Sequence, residues 1–257
     1  MVIKMAKNEI AVKPEESLVP SYIKQKEGIA RGSEDVGMED LTIPRLEVVQ
    51  SLSPCRDKKD AAYIEGAEEG LLYNNVSREL YGESVKVIPV IFKKEYLIWK
   101  DRKMGGGFRG SFPSMEEANT MIVDLVNTDP TNNQGLEAID TAQNLCLLVK
   151  ANGSTEEIAI SMSKSKMKVS RQWNSIIRMV GGDRFSRVYE ISGVEDTNDN
   201  GDKFKNLMVK QVGFPTEKQY LTAEALYESI NSGDREIKVN MDEDSAEKVS
   251  TEGKPAF

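Results

Sequence analysis

The sequence predicts an α+β fold built mainly from antiparallel strands. Apolar runs of strand length recur through the middle of the chain, separated by turn residues. Two pairs of these runs are joined by tight-turn signals, Asn152-Gly153 and the Asp/Asn/Gly cluster at 195–202. Between residues 41 and 240, helical spacing or capping is confined to three stretches.

Residues 1–40 read as a flexible N-terminal arm, because Pro14, Pro20, Gly28, Gly32 and Gly37 break any periodicity. From Leu41 the texture changes. Residues 41–54, LTIPRLEVVQSLSP, alternate as a strand does, with Leu46 and Val48 on one face. LLYNNV at 71–76 gives a second short strand, and a turn over 78–82 leads into residues 85–112. That stretch opens on a continuous apolar run, 87–92, the pattern of a strand buried on both faces. Ser114 and Glu117 form a capping box for a helix to about Val126, and a polar loop follows over 127–135. QNLCLLVK at 143–150 is a buried strand, with its return at 156–162.

Over 165–180 the stripe Val169, Trp173, Ile176, Ile177 and Val180 predicts a helix ended by Gly181-Gly182. Residues 185–194 and 203–213 form a hairpin stopped by Pro215, and a last helix over 220–232 closes at Gly233. The expected organisation is therefore a flexible arm (1–40), a core (41–215), a helix with a short extension (216–240) and an acidic mobile tail (241–257).

The composition narrows function. Hydrophobic residues make up 39% and charged residues 30%, which points to a modest core with solvated, disordered termini. No apolar run approaches the ~20 residues that cross a bilayer, and residues 1–13 mix charge and apolarity too evenly for a signal peptide. Two cysteines give no disulfide framework and suggest a reducing, cytoplasmic setting. The absence of histidine excludes Ser-His-Asp and Cys-His catalysis and histidine-ligated zinc. With a net charge of −8, binding to a polyanion requires positive charge to be segregated.

It is segregated in two places. Residues 92–112 hold six basic residues (Lys93, Lys94, Lys100, Arg102, Lys103, Arg109) against Glu95 and Asp101. Phe92, Tyr96, Trp99, Phe108 and Phe112 are threaded among them. Residues 161–187 hold seven basic residues and the single acid Asp183. There Lys164, Lys168, Arg171 and Arg178 fall opposite the apolar stripe, within about 80° on a helical wheel. Cations that hold phosphates and rings that stack bases are the ingredients of a single-stranded nucleic-acid surface. The expected interface is Lys93, Lys94, Tyr96, Trp99, Lys100, Arg102, Lys103, Phe108 and Arg109, joined by Lys164, Lys166, Lys168 and Arg171. A plainer reading makes them a solvated strand edge and helix face. Trp173 lies on the stripe and reads as core, whereas Tyr96 and Trp99 suit core or stacking equally.

Two motifs fail on context. Gly105-Gly106-Gly107-Phe108-Arg109-Gly110 matches the dinucleotide fingerprint, but it lies in a basic loop and no helix follows directly. Residues 196–201 match the start of a calcium loop, yet Leu207 stands where a bidentate glutamate is needed, so a hairpin turn is expected.

The stretches KKEYLIWKDRK (93–103) and SKSKMKVSRQW (163–173), with the acidic tail residues Asp242, Glu243 and Asp244 and with Phe257, resemble phage-encoded single-stranded-DNA-binding proteins. The likeness covers roughly residues 41–257. It implies an OB-like five-stranded barrel with packed helices, the helix over 165–180 capping it. It also implies sequence-independent binding of single-stranded DNA in phage replication or recombination, in the host cell cytoplasm. Asp242, Glu243, Asp244 and Phe257 would hold replication or recombination proteins. No catalysis, metal, cofactor or membrane is expected, and a homo-oligomer is compatible. The alternatives are a strand-annealing recombination protein and, in a different class, a phage structural or assembly protein.

Overall fold

A computed structural model of the chain describes residues 32, 33, 35, 42–198, 200–233, 235, 239 and 241, and of Arg102 the backbone alone. Most of the expected arm, and Asp242, Glu243, Asp244 and Phe257 of the expected tail, lie outside the described residues. All the elements below fall within one compact unit, Met38–Phe257.

In chain order the strands are β1 (Leu46–Val48), β2 (Leu72–Asn74), β3 (Leu80–Gly82), β4 (Ser84–Lys100) and β5 (Phe108–Phe112). After helix α1 (Met115–Thr128) come β6 (Leu136–Val149) and β7 (Thr155–Ser163). Helix α2 (Met167–Val180) precedes β8 (Val188–Thr197) and β9 (Lys203–Gly213), and α3 (Glu217–Asn231) follows. β1, β2 and β3 form a small antiparallel sheet. The main sheet has six strands in the order β7-β6-β4-β8-β9, with β5 also on β4, and every ladder in it is antiparallel. The expected class therefore holds.

β4 is the spine. β6 pairs along one edge from Lys86 to Lys100. The other edge is shared: β8 takes Ser84–Val87 and β5 takes Tyr96–Trp99. Alternation then sends side chains to two cores. Val85, Val87, Ala142, Cys146 and Leu148 meet Trp173 of α2 and Leu46, Val48 and Leu72 of the small sheet. Ile88, Val90, Leu145 and Leu147 face Ala223 and Leu226 of α3. Farther along, Leu97, Ile98 and Ala118 are buried where α1 packs on β4, β5 and β6.

The strand path ends at β7 and β9, so the ladders do not close, and pairing gives the expected OB-like barrel no support. The segment before and through β1 nevertheless touches both ends. At β7, Arg45 bridges Ala159, whose N–H donates to the Pro44 carbonyl at 2.8 Å. At β9, the Gln50 side-chain amide accepts from the Lys205 N–H at 2.9 Å and donates to its carbonyl at 2.7 Å. A side chain thus supplies both bonds that a neighbouring strand would have given Lys205.

The boundaries differ from expectation where tertiary pairing or capping decides. The expected turn at 78–82 contains β3, set by the Asn74 side chain accepting from the Val76 and Ser77 N–H groups. β6 begins at Leu136, seven residues before the expected strand, because its weakly apolar start is held by the ladder to β4. α3 opens earlier, on a Thr216–Gln219 capping box legible in the sequence as T-x-x-Q. Ser114 caps α1 as expected, its side chain accepting from the Glu117 N–H. Residues 164–166 form a 3-10 turn ahead of α2.

Gly193 of β8 marks the closest approach of the small sheet. A Cβ there would run into the Gly70 carbonyl oxygen and press on Val48. Gly193→Ala is expected to destabilise the protein by about 2 kcal/mol or more, lowering the thermal midpoint by at least about 5 °C. An unchanged midpoint in a thermal melt would show that the small sheet is not seated against β8.

Candidate nucleic-acid interface

The interface is set by what happens between the two partners of β4. From Ile88 to Glu95 its outer edge has no ladder partner among the described residues, since β8 stops at the Val87 pair and β5 starts at the Tyr96 pair. Three consecutive residues there, Phe92, Lys93 and Lys94, are exposed. The expected strand buried on both faces therefore holds only through Val90.

Alternation divides the expected residues. Phe92, Lys94 and Tyr96 lie on one face, opposite Asn144, Ala142 and Asp140 of β6, and Phe112 of β5 stands across from Tyr96. Lys93 and Trp99 belong to the opposite face, where Trp99 packs on Phe108 with ring centroids 5.3 Å apart. The sequence-predicted patch is thus two surfaces on either side of one strand.

The first face forms a row. The Lys94 ammonium sits 5.2 Å from the Tyr96 ring centre and 3.2 Å from Asp140 Oδ2. Contact with Tyr96 first, and with Asp140 next, holds it above its ordinary pKa. Beside Phe92 stands Arg184, which sequence reasoning counted among the basic residues but did not place in the site. Its guanidinium lies 5.4 Å from the Phe92 ring centre and 5.8 Å from that of Trp173. Its Nη2 donates to Asn144 Oδ1 at 2.7 Å and its Nη1 to Asn174 Oδ1 at 2.9 Å. No carboxylate pairs with it among the described residues, and burial pulls its pKa down.

Asn174 ties the row to α2. Arg171 and Arg178 stand three residues before and four after it, so they share its flank of the helix, and both are exposed. Lys168 turns elsewhere, adding to the pull that Asn206 exerts in keeping the Asp196 carboxyl below its ordinary range. Lys166 is buried and does not join an outward cationic face. Lys164, with a positive φ of 48°, reaches Glu137 at 4.0 Å.

Lys93, in the middle of β4, is paired with Glu95 at 2.6 Å. The remaining residues cluster around the β4–β5 connection. Lys100 contributes to lowering the Asp129 carboxyl, behind the larger effect of Asn132. Lys103 is exposed, and the side chain of Arg102 lies outside the described residues. The glycine run is a hairpin connection: Gly105, Gly106 and Gly107 have φ of 101°, 64° and 112°. Arg109 folds back on it, donating to the Phe108 and Gly106 carbonyls. The calcium-like segment is likewise a hairpin turn, closed by the Asn198 side chain accepting from the Asn200 and Asp202 N–H groups.

Trp173 is fully buried and packs edge-on to Tyr189, as expected of core. Among the described residues no helix is long and apolar enough to cross a membrane.

Residues 13–236 match the model of the family described as Pam3 phage gp34-like protein. No curated protein and no solved structure matches the chain. The match spans most of the sequence, including every strand and helix above, and the chain therefore belongs to the Pam3 phage gp34-like protein family, a family named for a phage protein.

Proposed function

We propose that this protein binds single-stranded DNA without reading its sequence, in phage DNA replication or recombination. One arrangement carries the proposal: Phe92, Lys94 and Tyr96 stand in a row on one face of β4, beside a flank of α2 bearing Arg171 and Arg178. Every base offers a ring face to an aromatic side chain and every nucleotide a phosphate to a cation, so such a surface binds strands of any sequence. The row lies on a paired strand, so its rings are positioned before DNA arrives and little ordering entropy is lost on binding.

The row needs an exposed sheet face and not a closed barrel. An OB-like barrel remains a finer proposal, in which the segment around β1, already tied to β7 and β9, completes the curl. The acidic residues Asp242, Glu243 and Asp244, with Phe257, are proposed to engage replication or recombination proteins and, when these are absent, to compete with DNA for the cations.

Lys100, Lys103, Arg109, Arg171 and Arg178 form no salt bridge among the described residues. With about five phosphates neutralised, log K against log salt should fall with a slope near −3.5 on mixed-sequence oligonucleotides. Duplex of the same sequence should bind more weakly. Equal affinity for duplex, or a flat salt response in a gel shift, would remove the basis for the proposal.

Asp140 occupies Lys94 in the free protein. Asp140→Asn should therefore tighten single-strand binding, by up to about fivefold, and steepen the salt slope by about 0.7 as Lys94 takes a phosphate. Weaker binding by a folded variant, measured by fluorescence anisotropy, would place DNA elsewhere.

Deleting residues 241–257 should tighten binding at low salt, with the gain vanishing at high salt as screening grows. A gain that persisted at high salt, or a loss at any salt, would rule out electrostatic competition by this segment.

A further inference from the structure

We infer that Phe92, a ring of the basic stretch that the expected interface residues leave out, is a base-stacking platform whose ring is held in place by Arg184. The inference rests on the single-strand proposal and adds to it a specific contact.

Phe92 is out of place as a core residue. It follows the fully packed run Val87, Ile88 and Val90, yet is 38% exposed on a strand that lacks an edge partner at that point. A ring in such a place usually turns down onto apolar neighbours. Here the guanidinium of Arg184 approaches it instead, at 5.4 Å from the ring centre. Arg184 is itself immobilised, its two terminal nitrogens donating to Asn144 and Asn174, and Trp173 beyond it is core. The guanidinium can neither follow Phe92 into solvent nor collapse onto a carboxylate. The result is a half-exposed ring braced by a fixed cation, with its remaining surface open to solvent.

The position within the row gives the contact its meaning. Lys94 and Tyr96 follow on the same face, each alternate step advancing about 6.7 Å along the strand. Phe92 and Tyr96 are therefore about 13 Å apart, with the Lys94 ammonium between them. A single strand laid along β4 would stack one base on each ring and pass its backbone over Lys94. The cation beside Phe92 adds an attractive field for the adjoining phosphate, and Arg171 and Arg178 extend that field along α2. Arg184 acts here as a positioning residue, its two terminal nitrogens each being held by an asparagine.

The test compares Phe92→Ala, Phe92→Leu and Phe92→Trp with Tyr96→Ala in the full chain. The readouts are anisotropy with a labelled oligothymidylate and a thermal melt of each variant. Loss of a stacked base should weaken binding by roughly 5- to 150-fold in Phe92→Ala. Phe92→Leu, which keeps an apolar side chain but no ring, should be weakened almost as much, and Phe92→Trp should bind at least as tightly as the parent. Melting midpoints should stay close to the parent's, because the ring is half-exposed. The inference is overturned if Phe92→Leu binds like the parent, since packing and not stacking would then be the role of Phe92. It also fails if Tyr96→Ala loses binding while all Phe92 variants keep it, an outcome that leaves the single-strand proposal standing. A parent protein that binds no oligothymidylate overturns both.

Discussion

The ladder between β4 and β6 is the constraint on which the rest of the molecule depends. It runs from the Lys86–Val149 pair to the Lys100–Leu136 pair, and it assigns every side chain of β4 to one of two faces. A slip by one residue would exchange the faces entirely. It would bury Lys86 among Cys146 and Leu148, and it would set Val87 in the exposed place that Lys86 holds. The apolar content of the two cores therefore fixes the register, and the register fixes which cations and rings stand together. The bulge between Pro89 and Ile91 is part of this setting. It shifts the parity so that Phe92, Lys94 and Tyr96 continue the face that carries Val85 and Val87.

Arg184 is the point where core and surface meet. A half-buried cation that meets no carboxylate among the described residues is costly to desolvate unless it gains other partners. Here two asparagine oxygens hold its terminal nitrogens and two aromatic rings lie beside it, leaving Nε without a partner, and the nearby Cys146 thiol does not neutralise it. Burial pushes that thiol up to about 12, so it stays protonated. Asn144 is fully buried in the middle of β6, a place where an amide costs stability unless it has partners. Its oxygen accepts from Arg184 and its amide donates to the Ile160 carbonyl. The pair explains an otherwise anomalous polar residue in QNLCLLVK: Asn144 keeps the guanidinium charged and stationary beneath an exposed ring.

Much of the fold was legible because it follows from local signals. The Asn152-Gly153 turn, the Ser114 cap and the stripe of α2 depend on neighbours in sequence, and all three recur in the structure. The open sheet was not legible, because edge-to-edge closure depends on strands more than a hundred residues apart and on Gln50 reaching Lys205. The candidate site was legible in composition and not in arrangement. Counting charge along 92–112 and 161–187 could not register that Asp140, well beyond the first stretch, comes back to Lys94, or that Glu137, ahead of the second, meets Lys164. Nor could it separate Lys93 and Trp99 from Tyr96, since that needs the strand's period and not a count of charge. The role of Lys168 and the burial of Lys166 likewise depend on how α2 meets the sheet, which a helical wheel does not show.

The acid that returns to the row would alter the balance of forces on a strand bound as proposed. Lys94 of the row meets Asp140 at 3.2 Å, and away from it Lys93 meets Glu95 and Lys164 meets Glu137 within 4.0 Å, so three of the expected cations are already partnered. An exposed pair of this kind contributes little to stability, about 0–1 kcal/mol, but it must be exchanged before a phosphate can bind. The electrostatic attraction of the row is consequently smaller than its composition suggests, and the protein as a whole carries a net charge of −8. Stacking meets no such competitor among the described residues, where part of the Phe92 ring is exposed. Rings would then provide most of the affinity at the row, with the cations of α2 and of the β4–β5 connection that form no salt bridge among the described residues steering the strand toward it. A surface weighted in this way favours unpaired bases over duplex, in which the ring faces are already stacked on one another.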